Sequence, residues 1–162
     1  MRALKLFGAL CVGAAAAACE ANPSVGVFCT PIQNATATTR GDTVVTTTGL
    51  RYRELVVGDG AAAQACTGVL IKTVGRLENG AVFDSTLTGE AGAIVPGLGR
   101  LPVQGVEQGV IGMLEGGVRR LIIPPSLAYG SQARTAEPGS GFANIPANST
   151  LIYDITLLQA TP

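Results

Sequence analysis

The sequence predicts an α+β domain in which an antiparallel sheet packs on a single helix. Three observations carry this expectation. Stretches of alternating or strongly apolar residues bounded by turn residues recur at 50–53, 69–77, 81–85, 118–123 and 150–158. Asn79-Gly80 separates two of them at hairpin spacing. Only one segment, from Val103 to Leu114, repeats apolar residues at helical spacing.

The elements follow in order. Leu50-Arg51-Tyr52-Arg53 alternates apolar with charged side chains, and Gly58-Asp59-Gly60 supplies a turn after it. In the second run Val69, Ile71, Thr73 and Leu77 are expected to share a face, and the chain then turns at Asn79-Gly80 and runs back through 81–85. Residues 86–100, rich in glycine and carrying Pro96, read as a loop. Pro102 suits the first turn of a helix, Val103, Val106, Val110, Ile111 and Leu114 form its apolar face, and Gly116-Gly117 stops it. Gly105, Gly109 and Gly112 each weaken that helix by about 1 kcal/mol relative to Ala, so tertiary packing must hold it. Residues 118–123 form a strand halted by Pro124-Pro125, with Arg119-Arg120 read as a solvated strand edge. In the last strand Leu151, Tyr153, Ile155 and Leu157 face one way.

Composition excludes several functions. The chain has 162 residues, long enough for one domain with a sizeable core. Its formal charge is zero and only 14% of residues are charged, so no basic surface is available for a phosphate backbone and nucleic acid is not an expected partner. Histidine is absent, which removes Ser-His-Asp and Cys-His nucleophile systems and His-containing zinc sites together. Gly97-Leu98-Gly99 lacks the third glycine of a dinucleotide fingerprint, Pro102 standing in its place. No cofactor and no metal is expected.

The first residues read as an export signal. Arg2 and Lys5 precede an uncharged run from Leu6 to Ala18, thirteen residues and too short to span a bilayer as a helix. Residues 1–18 are therefore assigned to a signal peptide, 19–48 to a Thr-rich extended arm, and 49–159 to the folded domain. Ala16-Ala17-Ala18-Cys19 resembles a bacterial lipobox with Ala where Leu is usual, which makes Cys19 the expected lipidated N-terminus. Ordinary cleavage near Ala18 or Ala21 is the alternative. Glu20 does not resemble an inner-membrane retention signal, so a periplasmic or outer-membrane location is expected if the host has two membranes. Loss of residues 1–18 removes two of eleven basic and none of eleven acidic residues, leaving nine against eleven. Cys29 and Cys66 then remain as an even pair in an oxidising compartment, and a disulfide between them would constrain a loop worth roughly 3 to 4 kcal/mol in the chain-entropy model. Two separate thiols are the competing reading.

Four segments in order carry a family resemblance: Gly75-Arg-Leu-Glu-Asn-Gly-Ala-Val-Phe-Asp-Ser85, Val106-Glu-Gln-Gly-Val-Ile-Gly-Met113, the stretch from Val118 to Gly130 ending Leu-Ala-Tyr-Gly, and Ile145-Pro146 with Leu151-Ile-Tyr-Asp154. Together they resemble the FKBP-type peptidyl-prolyl cis-trans isomerases over about two thirds of the chain. The resemblance implies a curved antiparallel sheet of five or six strands wrapped around one short α-helix, with a shallow apolar pocket that takes a prolyl ring. It implies rotation of Xaa-Pro bonds in proline-containing polypeptide clients, by a monomer that meets the membrane only through Cys19.

The same resemblance places Phe83, Val103, Val106, Ile145, Tyr153 and Thr73 at substrate-binding positions, and Asp84 and Tyr129 at catalytic ones. Tyr129 hydroxyl and the Ile145 backbone N–H are expected to hold substrate carbonyls, with Asp84 facing the twisting carbonyl or ordering its neighbours. Several positions depart from the family: Thr73 stands for a usual Tyr, Val106 for a pocket-floor Trp, Gly89 for an Arg, Ala93 or Ile94 for a Phe, and Tyr153 for a Phe. The loop 131–144 is longer than in minimal members. A wider, less aromatic pocket is expected. By themselves Phe83 and Tyr153 could be core residues, Asp84 a turn cap and Tyr129 a loop closure. The competing functions are a catalytically weak binding module or periplasmic chaperone, and a lipid-anchored structural protein of the envelope.

Overall fold

The computed structural model describes residues 42–86, 91–94, 96 and 100–161. Seven strands form one antiparallel sheet: β1 (Thr43–Val45), β2 (Arg51–Val56), β3 (Val69–Leu77), β4 (Val82–Ser85), β5 (Gly92–Ile94), β6 (Val118–Ile123) and β7 (Leu151–Ala160). The strand order is β1-β2-β6-β7-β3-β4, with β5 pairing β3. One helix, α1 (Gln104–Val110), lies against β6 and β7, and a 3₁₀ turn spans Pro125–Leu127.

The core sits between α1 and the inward faces of the long strands. Leu151, Tyr153, Ile155 and Leu157 are all buried on β7, as their period of two requires. Leu121 and Ile123 on β6, and Val106, Val110 and Met113 in and after the helix, complete the cluster. The helix approaches β6 closely because Gly105 and Gly109 carry no Cβ. An added Cβ at Gly105 would lie 2.4 Å from Ile123 Cγ2, and one at Gly109 2.4 Å from Leu121 Cδ1. The glycines that weaken the isolated helix are thus what its packing needs.

Three departures from the sequence expectation have physical causes. The sheet has seven strands, not five or six, because two three-residue strands fill exposed edges. The stretch Thr43–Val45, inside the segment 19–48 expected as an arm, pairs with β2, and Thr48 Oγ1 donates to Gln108 Oε1 at 2.8 Å. Gly92–Ile94, inside the expected loop 86–100, pairs with the first half of β3, which β4 leaves uncovered because its pairing reaches only residues 74–76. The segments 1–18 and 19–41, with Cys19 and Cys29, lie outside the described residues.

The helix is also shorter than its apolar spacing suggests. Pro102 precedes it, Val103 is its N-cap, and it ends at Val110, with Ile111 already extended at ψ 130 and Gly112 left-handed at φ 79. Ile111 and Leu114 therefore lie beyond the helix, and Met113 takes the buried position.

Arg119 explains the early end. It is not a solvated edge residue: β6 is flanked by β2 and β7, and Arg119 is 1% exposed. Its Nη1 donates to the carbonyls of Gly109 at 2.7 Å and Ile111 at 3.2 Å, satisfying groups that a helix C-terminus leaves open. Its Nε donates to Glu54 Oε1 at 2.8 Å, its Nη2 donates to the same carboxylate, and its guanidinium lies 4.5 Å from the centroid of the Tyr52 ring. Arg120 points to the opposite face and grips Asp154 with two hydrogen bonds, Nε to Oδ1 at 2.6 Å and Nη2 to Oδ2 at 2.8 Å, while Arg76 Nη1 adds a third at 3.0 Å.

Arg119→Ala strands the Glu54 carboxylate and uncaps the helix, so a loss of about 3 to 5 kcal/mol is expected in urea unfolding. Adding Glu54→Leu should recover part of that loss, because no buried charge is then left alone. The hydrogen bond from Arg120, partly opposed by burial, holds the Asp154 carboxyl below its ordinary value. Its stabilising contribution is therefore full above about pH 4 and is lost as pH falls through the lower folded-state value. Thermal unfolding of Asp154→Asn should accordingly depend less steeply on pH below about 4 than wild type does.

Candidate functional site

The site forms where the β3–β4 hairpin, the N-terminal end of α1, β7 and the segment after β6 meet. A cavity of about 210 Å³ opens there, walled by Ile71, Ile94, Leu101, Val103 and Val106, with Thr73, Asp84, Tyr129 and Tyr153 supplying its polar groups. Of the sequence-predicted residues, Thr73, Asp84, Val103, Val106, Tyr129 and Tyr153 converge on this cavity. Phe83 and Ile145 do not border it. They line a second cavity of about 360 Å³ that shares Asp84, Pro102, Tyr129 and Tyr153 with the first.

Each side chain is aimed by local structure. Asp84 sits inside β4 opposite Gly75, so it belongs to a strand and caps no turn. Gly75 also opposes Tyr153, and a Cβ there would lie 2.6 Å from Phe83 and 3.0 Å from Tyr153. Its absence lets those two rings meet edge to face, centroids 5.4 Å apart and planes at 80°. Tyr129 follows a tight turn in which the Ala128 and Gly130 N–H groups both donate to the Pro125 carbonyl, with Gly130 left-handed at φ 56. Pro125 starts that 3₁₀ turn with its φ already fixed.

The carboxylate of Asp84 is held by a hydroxyl: Thr73 Oγ1 donates to its Oδ2 at 3.2 Å. Burial, followed by the charge of Asp84 and by Tyr129, pushes the Tyr153 phenol far above its ordinary value, so it stays neutral. The phenol near Asp84 thus comes from Tyr153 on β7, while β3 carries Thr73. Thr86 Oγ1 accepts from the Thr73 N–H at 2.8 Å and fixes the same corner.

One expected donor is already engaged. The Ile145 N–H donates to the Arg134 carbonyl at 2.8 Å, and the Arg134 N–H donates back to Ile145 at 2.8 Å, so the Ile145 N–H is not open to a ligand. Val103, the helix N-cap, borders the cavity, and its N–H has no acceptor among the described residues. The Tyr129 hydroxyl likewise has no partner among them.

Sequence reasoning missed Ile71, Leu101, Thr86 and Arg134, and left Ala93 and Ile94 unseparated. The two are separated by strand alternation: Ile94 faces the cavity and Ala93 is exposed. That alternation is informative only once β5 is known to be a strand. Gly89 lies outside the described residues. Arg134, in the loop 131–144, stacks its guanidinium 4.8 Å from the centroid of the Tyr129 ring.

Known proteins share this arrangement. Residues 60–158 match the family described as FKBP-type peptidyl-prolyl cis-trans isomerase. Curated relatives include FK506-binding protein 4 of Chaetomium thermophilum, 42% identical over 111 residues covering 68% of this chain and 21% of that protein. FK506-binding protein 3 of Candida albicans is 44% identical over 111 residues, 68% of this chain and 24% of the relative. The chain therefore spans only a fifth to a quarter of the length of these relatives. Similar solved structures include that of AtFKBP13, with a TM-score of 0.65 and 35% identity over 74% of this chain and 99% of that one. FkpA from Escherichia coli has a TM-score of 0.61 and 32% identity, over 76% of this chain and 54% of that one. With one short helix laid across a curved antiparallel sheet and the pocket between them, the chain belongs to the FKBP-type peptidyl-prolyl cis-trans isomerase family.

Proposed function

We propose that this domain accelerates cis-trans rotation of Xaa-Pro bonds in polypeptide clients. The observation that carries this reading is an apolar cavity of about 210 Å³ with two free donors, the Val103 N–H and the Tyr129 hydroxyl, at its boundary. A planar prolyl amide is favoured by resonance, and its rotation crosses a barrier of about 20 kcal/mol. Charge separation across the C–N bond belongs to the planar form and is lost on twisting. A water-poor site walled by Val103, Val106 and Ile94 therefore disfavours the planar form relative to the twisted one. The Val103 N–H and Tyr129 O–H orient the carbonyls on either side of the ring. No proton need leave or join the substrate, so the chemistry works without histidine.

Asp84 is better suited to ordering the wall than to accepting from substrate, since the Thr73 hydroxyl already donates to it. A second reading, a weak isomerase serving as a binding module or chaperone, is favoured by Val106 at the buried floor where a larger ring would narrow the cavity. Val106→Trp separates the two readings: a gain in rate supports an enlarged pocket with weakened catalysis.

We also infer export, with residues 1–18 as signal, the segment from Cys19 up to β1 as spacer, Cys19 lipidated and the mature protein a periplasmic or outer-membrane monomer acting on exported chains. The basic start and apolar run of the first residues support this. Cys66 being disulfide-bonded supports its pairing with Cys29, which fits an oxidising compartment.

In cis-to-trans assays on short Xaa-Pro peptides, Tyr129→Phe should lower kcat/KM by about twofold to tenfold, the worth of one net hydrogen bond. Unchanged efficiency would remove the Tyr129 role, and no acceleration by wild type with any residue before proline would remove the enzymatic reading. Expressed in a two-membrane bacterium, the full chain should partition with membranes and carry an acylated N-terminal cysteine by mass spectrometry. Cys19→Ser should release it to the soluble fraction.

A further inference from the structure

We propose that Arg134 makes the second cavity a subsite for an acidic client residue lying within two positions of the proline. The proposal rests on the isomerase reading of the adjoining pocket and names the substrates that pocket would favour.

The second cavity adjoins the first. Asp84, Pro102, Tyr129 and Tyr153 border both, whereas Arg134, Thr135, Ala136 and Ala143 border only the second. A client whose proline fills the first cavity has the second beside it for its neighbouring residues. At roughly 3.3 to 3.6 Å per extended residue, one or two positions suffice to pass Tyr129. The proline cavity is lined mainly by apolar side chains, but the second presents more polar surface, including the one cation on its wall.

That cation is exposed, placed and uncommitted. Ion pairs among the described residues join Arg76, Arg119 and Arg120 to carboxylates, and none involves Arg134. Its backbone is fixed by the reciprocal bonds with Ile145, and its guanidinium by the Tyr129 ring 4.8 Å away. The rest of the loop is tied as well. The Ala143 N–H donates to the Val82 carbonyl at 2.8 Å, the Ala136 N–H to Asn144 Oδ1 at 2.8 Å, and the Asn148 N–H to the Gly130 carbonyl at 2.7 Å. A guanidinium stacked by its face still presents its edge N–H groups in the fork that matches a carboxylate. Holding it there beforehand reduces the ordering a client must impose.

Other charges do not cancel this preference. Asp84 borders both cavities, and its Oδ2 already accepts from the Thr73 hydroxyl at 3.2 Å. Glu137, three positions along the loop, is exposed and forms no ion pair with Arg134. An acidic client residue would therefore meet in Arg134 the one cation on the second cavity's wall, with Asp84 at the end shared with the first cavity.

The test compares matched peptides that differ only by Glu or Gln at each of the two positions before and two after a single proline. The full chain is assayed at low and high salt. Wild type should favour Glu over Gln by about threefold to tenfold in kcat/KM at one of these positions, expressed in KM, and the ratio should shrink at high salt. Arg134→Gln should bring that ratio to one, and Arg134→Glu should invert it. A variant that merely loosened the loop would lower both peptides together and leave the ratio unchanged, which would overturn the proposal. A wild-type ratio of one at all four positions, with neutral peptides still turned over, would overturn it while leaving the isomerase reading intact. No turnover of any peptide would overturn both.

Discussion

Arg119 is the residue on which the rest of this structure depends. A seven-residue helix with two internal glycines has little stability of its own. Arg119 reaches from the middle of the sheet to hold the last carbonyls of that helix, while Glu54 on the neighbouring strand neutralises it and Tyr52 covers its face. Three elements far apart in sequence are thereby fixed to one another by a single guanidinium. Its planar fork can serve a carboxylate and two carbonyls at once, which a lysine could not do. Setting the helix end also sets the helix start, and the start is where Val103 and Val106 form the wall and floor of the pocket.

The pocket is built by leaving space as much as by filling it. Gly105 and Gly109 let the helix settle on Ile123 and Leu121, and Gly75 lets Phe83 and Tyr153 meet behind the carboxylate of Asp84. Beside that carboxylate the Thr73 hydroxyl takes the place of a cation, so a charge is kept near an apolar cavity without an ion pair among the described residues. Such a site has fixed dipoles and dry walls and no group poised for proton transfer. It is suited to a conformational reaction, in which the substrate changes shape and exchanges no atoms.

Beside it, the loop after β6 brings a different chemistry. Its backbone is bonded to itself at Arg134 and Ile145 and to the sheet at Val82, so a long exposed segment becomes a defined wall. The same bonds occupy the Ile145 N–H, whereas the Val103 N–H has no acceptor among the described residues. Division of the cleft into an apolar end and a more polar one follows from which elements border each cavity.

The sequence by itself determined the architecture and half of the residues that line the pocket. Period-two alternation in the long strands, the Asn79-Gly80 turn and a single helical repeat are local signals, and residues 81–85 and 150–158 carry the family's motif positions within them. Tertiary structure decided what local pattern cannot encode. Thr43–Val45 and Gly92–Ile94 became strands because edges of β2 and β3 stood open to them, and three residues hold too little pattern to announce it. Arg119 beside Arg120 looked like solvent-facing charge, yet adjacent strand residues point to opposite faces, and burial of one required a Glu54 that is 65 residues away. That the Ile145 N–H is engaged was likewise legible only from the loop's own hydrogen bonds. Hydrogen-bond partners distant in the chain are a property of the fold, and they decided which of the residues legible in the sequence were free to act.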